Sequence, residues 1–223
     1  SCAQQQAASM LVVLDGSGSM RGDGKWAAAT AALDATFDAA RGDPRGALAL
    51  GLTVFADTHD ATIGATHAGP YDRFDVPPAP VDAAQDAALH ARLDGTEPWL
   101  GTPTYEVLSG QYPLLEAEPG RRVLVLVTDG VPDPRMPAGA NEQPWSIALA
   151  ARERARGVAT WVVGVGPAGP LASSSDYDPL FVARLAAAGG TEAIQLTPGA
   201  SLRADLASSL DAIRANAACA GGD

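Results

Sequence analysis

The sequence predicts an α/β domain built on a doubly wound, mostly parallel sheet with helices on both faces, and three observations predict it. Runs rich in Val and Leu at 10–14, 123–127 and 160–165 are apolar throughout, as central strands covered on both faces must be. Ala-rich helical stretches separate them, and regular alternation of strand and helix closes into a parallel sheet through right-handed crossovers. Loops after the strands (15–24, 56–80, 129–144 and 164–178) are long, whereas those after the helices are short. Open sheets of this Rossmann-like kind bind ligands beyond the carboxyl ends of their strands, where the surplus loop material falls.

The elements follow in order. Residues 10–14 form the first strand and 25–40 the first helix. The strand at 47–55 alternates less cleanly. Segment 57–80 is long enough to hold an extra strand around 62–66, an antiparallel edge that brings the sheet to about six strands. Helices are expected at 81–93, 104–116, 145–156, 179–188 and 200–217, with a short edge strand at 193–196. Gly157 follows the Arg-rich end of one helix and Gly189–Gly190 the end of another, both suited to helix termination. There is no internal repeat, and the only biased segments are an Ala/Gln-rich start and a Gly-rich end.

Composition narrows the partners. With 223 residues and 47% apolar content, the chain fits one large domain whose core needs no disulfide framework. A net charge of −11 opposes binding to nucleic acid, which depends on Lys and Arg at phosphates, and to anionic membranes. No apolar stretch approaches the roughly 20 residues of a membrane span. The two cysteines, Cys2 and Cys219, lie near opposite ends of the sequence. They could form a disulfide clasp in an oxidising compartment, Cys2 could be a bacterial lipid-anchor site, or both could be free thiols. The Ala-rich, Lys-poor composition hints at a GC-rich bacterium.

The chemistry concentrates at strand ends. Asp15, Ser17 and Ser19 form an Asp-x-Ser-x-Ser pattern directly after the first apolar run. Three hard oxygen donors in five residues suit a hard divalent cation. A second carboxylate, Asp129, follows the run at 123–127 within Thr128-Asp129-Gly130. Between them lies Gly101-Thr102-Pro103-Thr104, entering a helix with proline in its first turn. If the two strands are neighbours, Asp15, Ser17, Ser19, Thr102 and Asp129 converge as three hydroxyls and two carboxylates. That set suits octahedral Mg²⁺, Mn²⁺ or a loosely held Ca²⁺.

Asp-Gly-Ser-Gly-Ser, Gly-Thr-Pro-Thr and Thr-Asp-Gly, in this order, resemble the metal-ion-dependent adhesion site of von Willebrand factor A-type domains. The resemblance covers residues 9–216, which sets the expected domain at 9–218 between an extension at 1–8 and a tail at 219–223. It implies that Ser17 and Ser19 ligate the ion directly, and that Thr102 does so directly or through water. Asp15 and Asp129 are then expected to act mainly through waters or hydrogen bonds to the hydroxyls. One coordination position would be left for water or for a Glu or Asp of a protein partner. The family also moves its last helix when affinity changes, here 200–217. The implied protein is a non-enzymatic, extracytoplasmic adhesion module, secreted or surface-tethered, and a monomeric domain of a larger bacterial protein.

Other motifs carry less. Arg21-Gly22-Asp23 spells an integrin-recognition tripeptide but reads as a charged turn, and Asp23 could join a neighbouring ion site only without the second acid that Gly22 replaces. Gly24-Lys25 fails as a phosphate loop because Ser19 stands at the first glycine position and Trp26 at the hydroxyl. Neither serine sits in Gly-x-Ser-x-Gly, and His59, His67 and His90 lie far from a serine signature. Trp99 and Trp145 flank the loops as candidate rim anchors or packing residues. Asp133 and Asp57 are candidate rim charges. Two rival functions remain. A haloacid-dehalogenase-like phosphotransferase would need a second aspartate where Ser17 stands. A cytoplasmic A-type subunit of an AAA+ or chelatase-like complex would not pair Cys2 with Cys219.

Overall fold

A computed structural model describes residues 7–41, 48–57, 71–99, 101–132, 142–167 and 177–219. Six strands form one sheet: β1 (Ala8–Asp15), β2 (Leu48–Phe55), β3 (Val76–Pro80), β4 (Arg121–Thr128), β5 (Val158–Val165) and β6 (Ile194–Leu196). Their order is β3-β2-β1-β4-β5-β6, parallel throughout except for the antiparallel edge strand β3. Among the described residues six α-helices accompany them: α1 (Lys25–Arg41), α2 (Ala83–Leu93), α3 (Thr104–Glu116), α4 (Gln143–Ala155), α5 (Pro179–Ala188) and α6 (Leu202–Ala217). The predicted Rossmann-like class is the observed one.

The unbroken apolar runs have a direct cause. Every residue of β1 is buried. Met10, Val12 and Leu14 face a core completed by Leu33 and Phe37 of α1, Leu89 of α2 and Leu206, Leu210 and Ile213 of α6. Leu11 and Val13 face the opposite core, with Val107, Leu108 and Tyr112 of α3 and Phe181 and Val182 of α5. A strand with a helix layer on each side has no solvent face, so polar alternation disappears. Local signals then set the helix ends. The Asp82 side chain accepts hydrogen bonds from the backbone N–H groups of Ala84 and Gln85, both at 2.9 Å, and Asp178 caps α5 ahead of Pro179 in the same manner. Gly157 and Gly190, the expected stops, have φ of 88° and 85°.

Two expectations need correction. Among the described residues the antiparallel edge strand is β3, while the strand expected around 62–66 lies outside them. Val76–Pro80 reads as loop because it holds Pro77, Pro78 and Pro80. Proline cannot donate to a ladder, yet an edge strand tolerates it, and there it also discourages further strand pairing. The predicted helix 81–93 begins at Ala83 because Asp82 is its cap. No helix among the described residues is long and apolar enough to cross a membrane. Cys2 lies outside the described residues, and with it the expected pairing to Cys219.

Candidate functional site

β1 and β4 are neighbours, which brings their carboxyl ends together as required. Leu14 is level with Val127 and Asp15 with Phe55, so Asp15 and Asp129 leave the sheet at its centre. Asp15 is buried and fully engaged: Oδ1 accepts the Ser17 N–H at 2.8 Å and Oδ2 accepts the Thr128 hydroxyl at 2.5 Å. The chain then enters a 3₁₀ segment (Gly18–Gly24), which turns Ser17 and Ser19 back over the strand end. Their hydroxyl oxygens lie 3.0 Å apart, and the Ser19 hydroxyl donates to Asp129 Oδ1 at 2.7 Å. Thr102 is buried against Gly130: a Cβ at Gly130 would stand 2.8 Å from the Thr102 hydroxyl oxygen. Glycine after Asp129 is therefore what lets the threonine loop close on the site.

All five predicted residues thus gather at the end of β1 and β4. The electrostatics are unusual for a packed interior. Burial and the charge of Asp129 push the Asp15 carboxyl up from 3.8 to about 7, against the lowering by the hydrogen bonds from Thr128 and Ser17. Among the described residues, the cation in contact with the group is Lys25, the first residue of α1, whose ammonium is paired with Asp129 Oδ2. Its side chain is only 13% exposed. Sequence reasoning passed over Lys25 once the phosphate-loop motif failed. One signal could have found it, because Lys25 is the only lysine among the 223 residues. A lysine opening a helix also meets the unfavourable positive end of the helix dipole, so something local must hold it there.

The rim candidates separate. Trp99 is 54% exposed and stands beside the first loop, its N–H donating to Gly16 O at 2.8 Å and its ring lying 5.3 Å from the Arg21 guanidinium carbon. Arg21 in turn donates to Pro98 O at 2.8 Å. Trp145 is 42% exposed on α4 and packs edge-on against Tyr105 at 5.8 Å, one residue beyond Thr104. Asp133 lies outside the described residues. Asp57 is no rim charge. It is buried after β2, with its Oδ2 2.7 Å from Arg92 Nη1.

Asp38, Asp86 and His90 form a second polar group between α1 and α2, unanticipated from the sequence. Arg41 already donates to Asp86 Oδ2 at 2.9 Å, and the His90 ring stands edge-on to Phe37 at 5.7 Å. That arrangement clasps two helices. A cavity of about 620 Å³ adjoins the first site, lined among others by Asp23, Lys25, Asp129, Tyr177 and Pro198.

No model of a known protein family matches the sequence, and no curated protein matches it. Solved structures do resemble the fold. The pilus adhesin SpaC from Lactobacillus rhamnosus GG, in its open conformation, superposes with a TM-score of 0.69 at 14% identity over 95% of this chain. The chain spans 30% of that protein's length. The vWF domain of the type V pili tip protein Mfa5 from Porphyromonas gingivalis gives 0.64 at 11% identity, covering 99% of both chains. The SpRpn10 VWA domain gives 0.61 at 13% identity over 92% of this chain and 95% of its own. The chain has the fold of von Willebrand factor A-type domains.

Proposed function

We propose that this domain is a metal-dependent protein-binding module, in which Mg²⁺, or Mn²⁺ or Ca²⁺ in its place, is held by Asp15, Ser17, Ser19, Thr102 and Asp129 and receives an acidic side chain from a partner. The observation that carries this reading is the pair of serine hydroxyls 3.0 Å apart, with Ser19 bound to Asp129. Octahedral Mg²⁺ with ligands at about 2.1 Å places adjacent donors about 3 Å apart, so the serines fit one edge of its shell. The donor chemistry fits as well, being all oxygen. Lys25 on Asp129 supports the same reading, because these carboxylates already draw in a cation.

Each residue has a derived task. Ser17 and Ser19 offer the direct neutral donors. Asp129 orients the Ser19 hydroxyl as its acceptor, and Asp15 fixes the loop through the Ser17 N–H. Thr102, seated on Gly130, closes the third side. A bound divalent ion supplies an electrophilic centre that few direct carboxylates compensate, so an acidic partner group completes it. Trp99 is the anchor best placed at the rim for that partner. The partner must come against an acidic background, the net charge being −11, so the metal is the attractive element.

The role is adhesive rather than catalytic. In the phosphotransferase reading Asp15 would be the nucleophile, yet both its oxygens are bonded within a buried pocket. The pilus adhesin and pilus tip neighbours favour an extracytoplasmic setting, as part of a larger surface protein. Calorimetric titration with Mg²⁺, Mn²⁺ and Ca²⁺ tests the reading against Ser17→Ala, Asp15→Ala and Thr102→Ala. Saturable binding that the three variants weaken is expected. Equal binding in all four proteins overturns this site, and phosphate-ester turnover abolished by Asp15→Asn would replace adhesion with catalysis.

A further inference from the structure

We infer that Lys25 is a tethered counter-cation of the strand-end site, sharing Asp129 with the divalent ion and lowering the site's affinity for it. The inference rests on the metal reading above and adds a residue to which that reading assigns no role. Three independent features single out Lys25. It is the only lysine in a chain that otherwise uses arginine for positive charge. Arginine's planar fork bridges two acceptors, whereas an ammonium is a compact charge on a flexible stem and can swing away from one. The backbone delivers it: Asp23 and Gly24 both have left-handed φ, 55° and 69°, directly before α1 begins at Lys25. The left-handed conformation is strained for a non-glycine residue such as Asp23. Finally, space is available, since Lys25 and Asp129 both line the 620 Å³ cavity beside the site.

The two oxygens of Asp129 are divided. Oδ1 accepts the Ser19 hydroxyl, on the side where the serines converge, and Oδ2 accepts the Lys25 ammonium, which also lines the cavity. A divalent ion among the serines therefore meets the Lys25 positive charge across one carboxylate, and the repulsion weakens its hold. Lys25 relieves that repulsion by leaving Oδ2 for the cavity. In the metal-free protein the same ammonium keeps a buried carboxylate from standing unpaired beside Asp15. Lys25 thus sets a threshold concentration below which the site remains closed by its own side chain.

Two measurements test this. In the first, Mg²⁺ titration of the wild type, Lys25→Met and Lys25→Gln is followed by calorimetry. The Lys25 variants should bind at least roughly tenfold more tightly. Their metal-free forms should melt below the wild type and recover more on adding Mg²⁺. The second measurement uses the wild type alone. Acylation of Lys25 by an amine-reactive ester, read by peptide mass spectrometry, should be slow without metal and several-fold faster at saturating Mg²⁺. Unchanged or weaker Mg²⁺ affinity in both variants overturns the inference, as does an acylation rate indifferent to metal. If Ser17→Ala still abolishes binding in that case, the metal reading stands without Lys25. If neither the wild type nor the Lys25 variants bind Mg²⁺, Mn²⁺ or Ca²⁺, both readings fall together.

Discussion

Two pairs of acids sit at the same end of the sheet and are neutralised in different ways. Asp57 and Asp75 share Arg92, whose Nη1 and Nε reach one carboxylate each at 2.7 Å, while its Nη2 donates to Val54 O at 3.0 Å. Asp75 also accepts the Val54 N–H at 2.9 Å. One planar guanidinium thus ties both acids to the end of β2. Among the described residues, Asp15 and Asp129 have the Lys25 ammonium between them, paired with Asp129. Asp15 is left with donors that carry no charge, and its carboxyl is pushed up to about 7. Similar composition therefore yields a locked structural cluster in one place and a cation-deficient one in the other. Only the second has a reason to recruit an ion.

The largest expected effect breaks the Arg92 cluster. Arg92→Met should destabilise the protein by about 3–5 kcal/mol, because it removes the buried guanidinium that bridges Asp57 and Asp75. Chemical denaturation should show this loss, with partial recovery in Arg92→Met combined with Asp57→Asn. Mg²⁺ affinity should stay near the wild-type value in any fraction that folds. The reverse pattern is expected for Ser17→Ala, where Mg²⁺ affinity drops about 10–100-fold in calorimetry while stability changes little. Gly130→Ala falls between them. Its Cβ would meet Thr102 at 2.8–2.9 Å, costing about 1–3 kcal/mol and displacing the threonine, so both stability and Mg²⁺ affinity should suffer.

The pH dependence sharpens the same contrast. Asp15 has a folded value above its usual 3.8, so the folded metal-free protein binds a proton more tightly than the unfolded chain. That contribution to stability is present below about pH 4 and is lost as the pH rises to about 7. Asp15→Asn should flatten this part of the metal-free melting-temperature profile, and saturating Mg²⁺ should flatten it in the wild type. A profile identical in wild type and variant would contradict the charge deficit. The smallest effect is expected at the rim. Trp99→Ala, at an exposed site, should shift stability by no more than about 0.5 kcal/mol while weakening partner capture.

Most of the fold was legible because its signals are local. The apolar runs, the Ala-rich helical stretches and the stops at Gly157 and Gly190 each act within a few residues. The strand β3 was not legible, since its prolines mark a loop by every local rule and only its place at the sheet edge makes them acceptable. The five oxygen-bearing residues could be read from spacing, because parallel strands flanking β1 must deliver their ends together. Asp57 and Lys25 could not. Asp57 looks like any loop carboxylate until Arg92 arrives from α2, and Lys25 pairs with Asp129 from the start of α1, directly after the left-handed Asp23 and Gly24. Side-chain ion pairs between distant segments leave no mark in spacing, and Lys25 stands out in the sequence only as its single lysine.

The most direct measurement is the anomalous difference map of crystals grown with Mn²⁺. The expected result is one strong peak among the side-chain oxygens of Ser17, Ser19 and Thr102, with the Lys25 ammonium moved off Asp129 toward the adjoining cavity. A map whose Mn²⁺ peak lies instead at Asp38, Asp86 and His90, or one with no peak at the strand ends under saturating metal, would contradict the assignment.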